Sequence, residues 1–245
     1  MRKILDQNPL SFALGWIGVY VVSFSLADGL SGAIGVEKLV TAPLGLDLAW
    51  MLLGWLKAQG LWDAYGLKRG CLTPAGSVWY LPLVLMVSTN LWGGVALRYS
   101  VLESVLYVLS MICVGILEEV IFRGLLFRAL CRENLKMAVA VSSITFGIGH
   151  IVNLLNGAEL AATLLQICYA TAAGFLFTVI FLCSGSLIPC IVTHCAINSL
   201  SCFSQDRSRE LDLLAAAVLT AVSLGYGIWI LRSTEKGNER STRNE

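Results

Sequence analysis

The feature of this chain that most restricts its fold is the segment 160–193, in which no side chain is charged. About 20 consecutive apolar residues are enough to cross the hydrocarbon core of a bilayer. The segment is too long for one such helix, so we expect it to hold parts of two. The break is predicted at Ser184-Gly185-Ser186, because glycine in a connector and Pro189 in the next first turn are typical of helix boundaries.

Long apolar runs occur along most of the chain, and the charged residues are collected in short clusters between them. The 245 residues are 57% hydrophobic and only 13% charged, against about 25% charged residues in soluble domains. This pattern predicts an all-α polytopic membrane bundle of about eight transmembrane helices. The predicted spans are 9–27, 44–62, 76–96, 104–128, 137–155, 160–183, 187–204 and 212–231.

Two of these spans leave alternatives open. Asp47 and Lys57 interrupt the second span, so a count of seven remains possible. The first could pass for a signal peptide, but its apolar run exceeds the roughly 7–15 residues of such a segment, so we interpret it as an uncleaved membrane helix. The chain then divides into N-terminal membrane helices (1–100), a membrane core (101–231) and a polar tail (232–245) that is predicted to be disordered.

Lysine and arginine are unevenly distributed between the two sides that these spans define. With the N-terminus inside, twelve fall on the cytoplasmic side and four outside, while Arg123 lies within a span. Because loops rich in these residues stay in the cytoplasm, we predict a multi-pass cell-membrane protein with both termini cytoplasmic. The twelve are Arg2, Lys3, Lys57, Lys68, Arg69, Arg128, Arg132, Lys136, Arg232, Lys236, Arg240 and Arg243, and the four are Lys38, Arg98, Arg207 and Arg209.

The net charge argues against nucleic-acid binding, and the positions of the cysteines argue against a cysteine-based site. The formal net charge is +1 and no basic stripe is visible, which argues against nucleic acid as a partner. The eight cysteines lie mostly within apolar runs and form no Cys-x-x-Cys pair. We therefore interpret them as small packing residues.

Three polar clusters lie inside predicted spans, where ionisable side chains are expensive and by default suggest a function. The fourth span contains Glu118 and its neighbour Glu119, the fifth contains His150, and the seventh contains His194 and Asn198. At 1.5 Å per residue, Glu118, His150 and His194 lie about 15, 20 and 11 Å from the predicted cytoplasmic ends of their helices. These depths are compatible with one cavity below the cytoplasmic surface.

Helix geometry separates the two glutamates. Glu119 and Arg123 are four residues apart in the favourable order for an ion pair, so they can neutralise each other. Glu118 is rotated by about 100° from Glu119 and needs another partner. His194 and Asn198 are also four residues apart and present two hydrogen-bonding groups on one helix face.

Such a cluster has the groups that peptide hydrolysis requires. The reaction needs a base that activates water and donors that stabilise the developing oxyanion. Glu118 with His150 could hold and deprotonate a water molecule, and His194 with Asn198 could donate to the oxyanion. No Gly-x-Ser-x-Gly motif and no His-Glu-x-x-His motif occurs in the sequence.

At these residues the sequence resembles the CPBP family, which contains the type II CAAX prenyl proteases and the bacteriocin-processing and self-immunity (Abi) proteins. The matching motifs are Glu-Glu-x-x-x-Arg at 118–123, Phe-x-x-x-His at 146–150 and His-x-x-x-Asn at 194–198, in the same order and spacing. The resemblance implies a cytoplasm-facing intramembrane endopeptidase. It also implies that the substrate is a membrane-associated or prenylated peptide or protein, and that residues 101–231 form the catalytic core.

The resemblance further implies a role for each motif. It assigns the activation of water to Glu118 with His150, the oxyanion to His194 with Asn198, and support of the site to the Glu-Arg pair. We expect that no cofactor is required. The alternative is a catalytic Zn²⁺ held by Glu118, His150 and His194, since two histidines and a glutamate can bind zinc with one position open.

Three other interpretations compete with a peptidase. The polar groups could simply hold helices together, which we favour for the Glu119–Arg123 pair taken alone. A membrane immunity protein could bind a peptide in the same cavity without cleaving it. A transporter or proton relay also uses buried Glu and His, but it predicts broken helices and paired repeats, which the sequence does not show.

Overall fold

A computed structural model describes residues 1–68 and 80–243, with side chains as far as residue 234. All regular elements in these residues are helical. The helices are α1 (Arg2–Gln7), α2 (Pro9–Ile34), α3 (Thr41–Ala58), α4 (Leu81–Ser88), α5 (Val101–Cys131), α6 (Leu135–Gly149), α7 (Leu160–Ser184), α8 (Ile188–Leu200) and α9 (Arg209–Arg243).

The helix boundaries follow local sequence signals. The helix α2 begins after Asn8, whose side chain accepts a hydrogen bond from the Ser11 amide at 3.0 Å. The helix α5 begins at a capping box, in which Ser100 and Glu103 satisfy each other's backbone amides. The helix α7 ends at Gly185, which has a φ of 68° and takes the left-handed conformation that ends many helices. The predicted break at 184–186 is therefore confirmed.

The all-α membrane bundle is confirmed, and each predicted span contains a helix, although residues 59–62 and 92–96 of the second and third spans are not helical. Five helices are long and apolar enough to cross a membrane: α2, α5, α6 with the turn that follows it, α7, and Arg209–Thr234 of α9. Leu81–Leu91 and Ile188–Phe203 are apolar but shorter. The helix α3, which carries Asp47 and Lys57, is not among the five, so the choice between seven and eight spans stays a prediction. Residues 76–79 of the third predicted span lie outside the described residues.

Glycines let the helices of the core approach one another closely. A Cβ atom at Gly115 of α5 would lie 2.8 Å from the backbone nitrogen of Cys195 in α8. A Cβ atom at Gly147 of α6 would lie 2.8 Å from the Ile167 carbonyl oxygen in α7. Small residues at helix crossings allow this kind of backbone approach in membranes. The three polar clusters of the sequence are thereby brought into one region of the bundle.

One end of the bundle, which we call the termini end, holds both chain termini. A cavity of about 500 Å³ at this end is lined by residues of α1, of the turn after α3, and of the α5–α6 and α7–α8 connections, including Arg2, Tyr65 and Arg132. Near the end of α9, the Thr234 hydroxyl lies 3.7 Å from the Cys183 sulfur at the end of α7. The last helix therefore ends on the same side as the first begins.

The other end, which we call the far end, holds the α2–α3 turn and the segments that precede α5, α7 and α9. The Glu37 amide of the α2–α3 turn donates to the Glu103 carboxylate at 3.2 Å. The Ala96 amide donates to the Phe203 carbonyl at 2.9 Å. These contacts join the far-end segments to one another.

The helix α9 continues beyond the last predicted span. Its backbone is helical through Arg243, and the predicted division of the chain at residue 232 stays a prediction. Once a helix exists, each added residue gains a backbone hydrogen bond without a new nucleation cost, so a polar sequence can extend it. Residues 244 and 245 lie outside the described part of the chain.

Two exposed positions, one at each end of the bundle, should be labelled from opposite sides of the membrane. In a background without the native cysteines, Arg132→Cys and Asn156→Cys should react with a membrane-impermeant maleimide from opposite sides of the membrane, because they lie at the termini end and the far end. Lys57→Cys is the control and should react from the same side as Arg132→Cys. Labelling of Arg132→Cys and Asn156→Cys from one side would contradict the fold.

Candidate active site

The first motif lies where α5 changes its helical geometry. Residues Glu119–Phe127 form a π-helical segment in which every side chain is buried, and such segments occur frequently at functional sites. The Ser142 hydroxyl of α6 donates to the Phe122 carbonyl within this segment at 3.0 Å. The Phe122 carbonyl in this wider turn therefore has a hydrogen-bond donor on a neighbouring helix. Glu118 is the residue immediately before the π-helical segment.

The predicted ion pair between Glu119 and Arg123 is confirmed. Glu119 Oε1 accepts a hydrogen bond from Arg123 Nη1 at 2.9 Å, and both side chains are fully buried. The same oxygen lies 2.9 Å from His194 Nδ1. The Arg123 guanidinium also lies over the Phe146 ring, 4.0 Å from its centre, where a cation is attracted to the aromatic face.

Glu118 points away from this pair, as helix geometry predicts, but its nearest partners differ from those expected. Its Oε1 accepts a hydrogen bond from the Tyr20 hydroxyl of α2 at 2.5 Å. Its Oε2 lies 3.6 Å from His194 Nε2. The sequence paired Glu118 with His150 and did not indicate Tyr20, which stands in an ordinary apolar run without a motif.

His150 takes its position from the end of α6. Its Nδ1 lies 3.1 Å from the Phe146 carbonyl, one turn earlier. Because a carbonyl oxygen only accepts, Nδ1 carries the hydrogen, and Nε2 of the neutral ring is then an acceptor. His150 can therefore accept a hydrogen bond from a water molecule or a substrate group.

A cavity of about 900 Å³ joins the motif residues. Glu118, His150 and Asn198 line it, together with Tyr20. His194 is 6% exposed and lies beside Glu118 among buried residues. The structure thus places three of the four predicted catalytic residues on one cavity and the fourth in contact with one of them.

The cavity extends from the middle of the bundle toward the far end. Lys38 in the α2–α3 turn and Asn156 before α7 line its outer part, whereas both termini lie at the other end. The sequence predicts cytoplasmic termini, and the resemblance implies a cytoplasm-facing site. A cavity that opened only at the far end would be compatible with one of these two predictions but not with both.

The alternative zinc site was tested against the positions of its three proposed ligands. Within residues 1–68 and 80–243, no group of three or more His, Cys, Asp or Glu side chains is arranged to hold a metal ion. Glu118 and His194 face each other at 3.6 Å. Nδ1 of His194 faces Glu119 and Nδ1 of His150 faces a carbonyl, which leaves Nε2 of each ring as the nitrogen that could bind a metal. The choice between a metal-free site and a zinc site stays a prediction.

Fold and site together define a multi-pass helical membrane protein with a Glu–His–Asn cluster in an internal cavity. Residues 99–200 match the family model of the type II CAAX prenyl endopeptidases, Rce1-like. The match confirms the resemblance carried by the three motifs, all of which it includes, and it supports a CAAX-type protease. No curated protein and no solved structure matched the chain.

Removing one partner of the buried ion pair should destabilise the bundle. Arg123→Met leaves Glu119 without its cation, and an uncompensated buried charge costs about 3–5 kcal/mol. The temperature at which detergent-extracted monomer is lost should therefore fall. The control is Arg98→Met, which breaks the exposed Arg98–Asp206 pair and should change this temperature little. Equal melting of the two variants would count against a stabilising ion pair.

Proposed function

We propose that this protein is an intramembrane endopeptidase in which Glu118 and His150 activate water. The observation that supports this most directly is the difference between the two glutamates. Glu119 is fully buried and bonded to Arg123 and His194, whereas Glu118 lines the cavity together with His150. The Glu119 carboxylate thus stabilises the fold, whereas the Glu118 carboxylate is available to a substrate in the cavity.

The proposed reaction begins with a water molecule held between Glu118 and His150. As its oxygen bonds to the substrate carbonyl carbon, Glu118 takes one of its protons and His150 Nε2 accepts a hydrogen bond that orients it. When the carbon–nitrogen bond breaks, Glu118 returns that proton to the departing amine. General acid–base catalysis of this kind contributes about 10²–10⁴-fold to a rate.

The oxyanion formed in this step requires hydrogen-bond donors. The Asn198 amide lines the cavity and supplies one. His194 supplies another from Nε2 when its ring is doubly protonated, since Nδ1 already faces Glu119. In that form, the cluster of Glu118, Glu119, Arg123 and His194 has a net charge of zero, which suits a site removed from water.

We propose that both termini are cytoplasmic and that the cavity opens on the opposite face of the membrane. The twelve-to-four distribution of Lys and Arg supports cytoplasmic termini, and the cavity extends away from them. The substrate is then a membrane-associated or prenylated peptide that reaches the site from that face, whereas the resemblance to the CPBP family implies cleavage near the cytoplasmic side. Cytoplasmic labelling of Asn156→Cys would instead favour cleavage near the cytoplasmic side.

Replacing Glu118 should abolish proteolysis without affecting the fold. Glu118→Gln removes the base but keeps the shape of the side chain, so hydrolysis should fall by at least about a hundredfold. Comparative peptidomics of membranes containing the native protein or this variant would reveal the missing cleavage products. Both proteins should be present in equal amounts.

The matched control is Glu159→Gln, which changes an exposed carboxylate at the far end. Its peptide products should equal those of the native protein. A Glu118→Gln variant with unchanged products would contradict the peptidase. If this variant also kept its full biological activity, a membrane immunity protein that binds a peptide without cleaving it would be favoured.

We also propose that the enzyme requires no metal. Activity of the purified protein should survive incubation with a strong chelator, and elemental analysis should find much less than one equivalent of zinc per chain. Loss of activity with the chelator and its return with added Zn²⁺ would contradict this mechanism.

A further inference from the structure

The shortest hydrogen bond to Glu118 comes from outside the three motifs. The Tyr20 hydroxyl in α2 donates to Glu118 Oε1 at 2.5 Å across a separation of 98 residues. We propose that Tyr20 is a positioning residue that fixes the orientation of the Glu118 carboxylate toward the reacting water. This inference rests on the proposed function, because it gives Tyr20 a part in the same reaction.

The chemistry of the two groups determines the direction of this bond. An ionised carboxylate only accepts hydrogen bonds, so the phenol must donate. Bonds of the O–H···O⁻ type are about 2.5–2.7 Å long and roughly twice as strong as bonds between neutral groups. Since Tyr20 occupies one oxygen of Glu118, rotation of the carboxylate breaks this bond.

The tyrosine itself is held in place by aromatic packing. Its ring lies 4.7 Å from that of Phe24, centre to centre, and Phe24 is almost fully buried. The Phe24 ring packs in turn beside Gly45 of α3 and Cys113 of α5, where a Cβ atom on the glycine would be crowded by both. Three helices thus fix the position from which the phenol donates.

The rest of the cluster does not need Tyr20 for its own contacts. Glu119, Arg123 and His194 are joined by hydrogen bonds among themselves, and Tyr20 reaches only Glu118 in this group. A glutamate side chain loses rotamer freedom when it is fixed in one orientation, and Glu118 lies beside a cavity of about 900 Å³. The phenol therefore selects one orientation of Glu118 rather than holding the bundle together.

The test uses Tyr20→Phe, which keeps the ring and its packing but removes the donor. The matched control is Tyr65→Phe, because Tyr65 lines the separate cavity at the termini end and not the cavity of Glu118 and His150. Purified full-length proteins are compared on an internally quenched peptide with a farnesylated CAAX terminus. We expect Tyr20→Phe to lower kcat by about tenfold to hundredfold with KM unchanged, and Tyr65→Phe to match the native protein.

A second measurement does not depend on turnover. The infrared carboxylate band that disappears in Glu118→Gln belongs to Glu118, and it should shift in Tyr20→Phe but not in Tyr65→Phe. An unshifted band, or native kcat in Tyr20→Phe, would overturn the inference. If the native protein does not cleave the probe, that result counts against the CAAX substrate, and the infrared band alone decides whether Tyr20 holds Glu118.

Discussion

The structure of the site depends on one ion pair from which water is excluded. Glu119 and Arg123 are both fully buried, and such charges are tolerated inside a bundle only when they are paired and hydrogen-bonded. The pair fixes His194 through the shared Glu119 oxygen and fixes Arg123 against the Phe146 ring. Glu118 is consequently the one carboxylate of the two that remains next to the cavity.

Much of this arrangement could be predicted because membrane sequences are restrictive. Apolar runs and the glycine break gave the helix positions, and i,i+4 spacing gave the Glu119–Arg123 pair. The partners of Glu118 could not be predicted. Motif spacing indicates which groups share a helix face, whereas the approach of Tyr20 depends on how α2 packs against α5, and a tyrosine in an apolar run carries no signal of its own.

The direction in which the cavity extends could also not be predicted from the sequence. Counting the spans assigns each loop to one side of the membrane. The motif residues, however, lie in the middle of helices, where their depth in the membrane does not indicate at which end the cavity opens. In the structure, Lys38 and Asn156 of the far-end turns line the same cavity as Glu118 and His150, so the cavity extends toward that end. A cavity that opened only there would agree with the charge distribution or with the resemblance, but not with both.

The boundary that the sequence suggests near residue 100 divides the chain but does not divide the cavity. The family match begins at residue 99, yet Tyr20 and Asp28 of α2 line the same space as the motif residues. A fragment restricted to the matched segment would therefore keep every signature residue and lose one wall of its pocket. The leading helices therefore help to set the shape of the cavity and, with it, which peptides the cavity can accept.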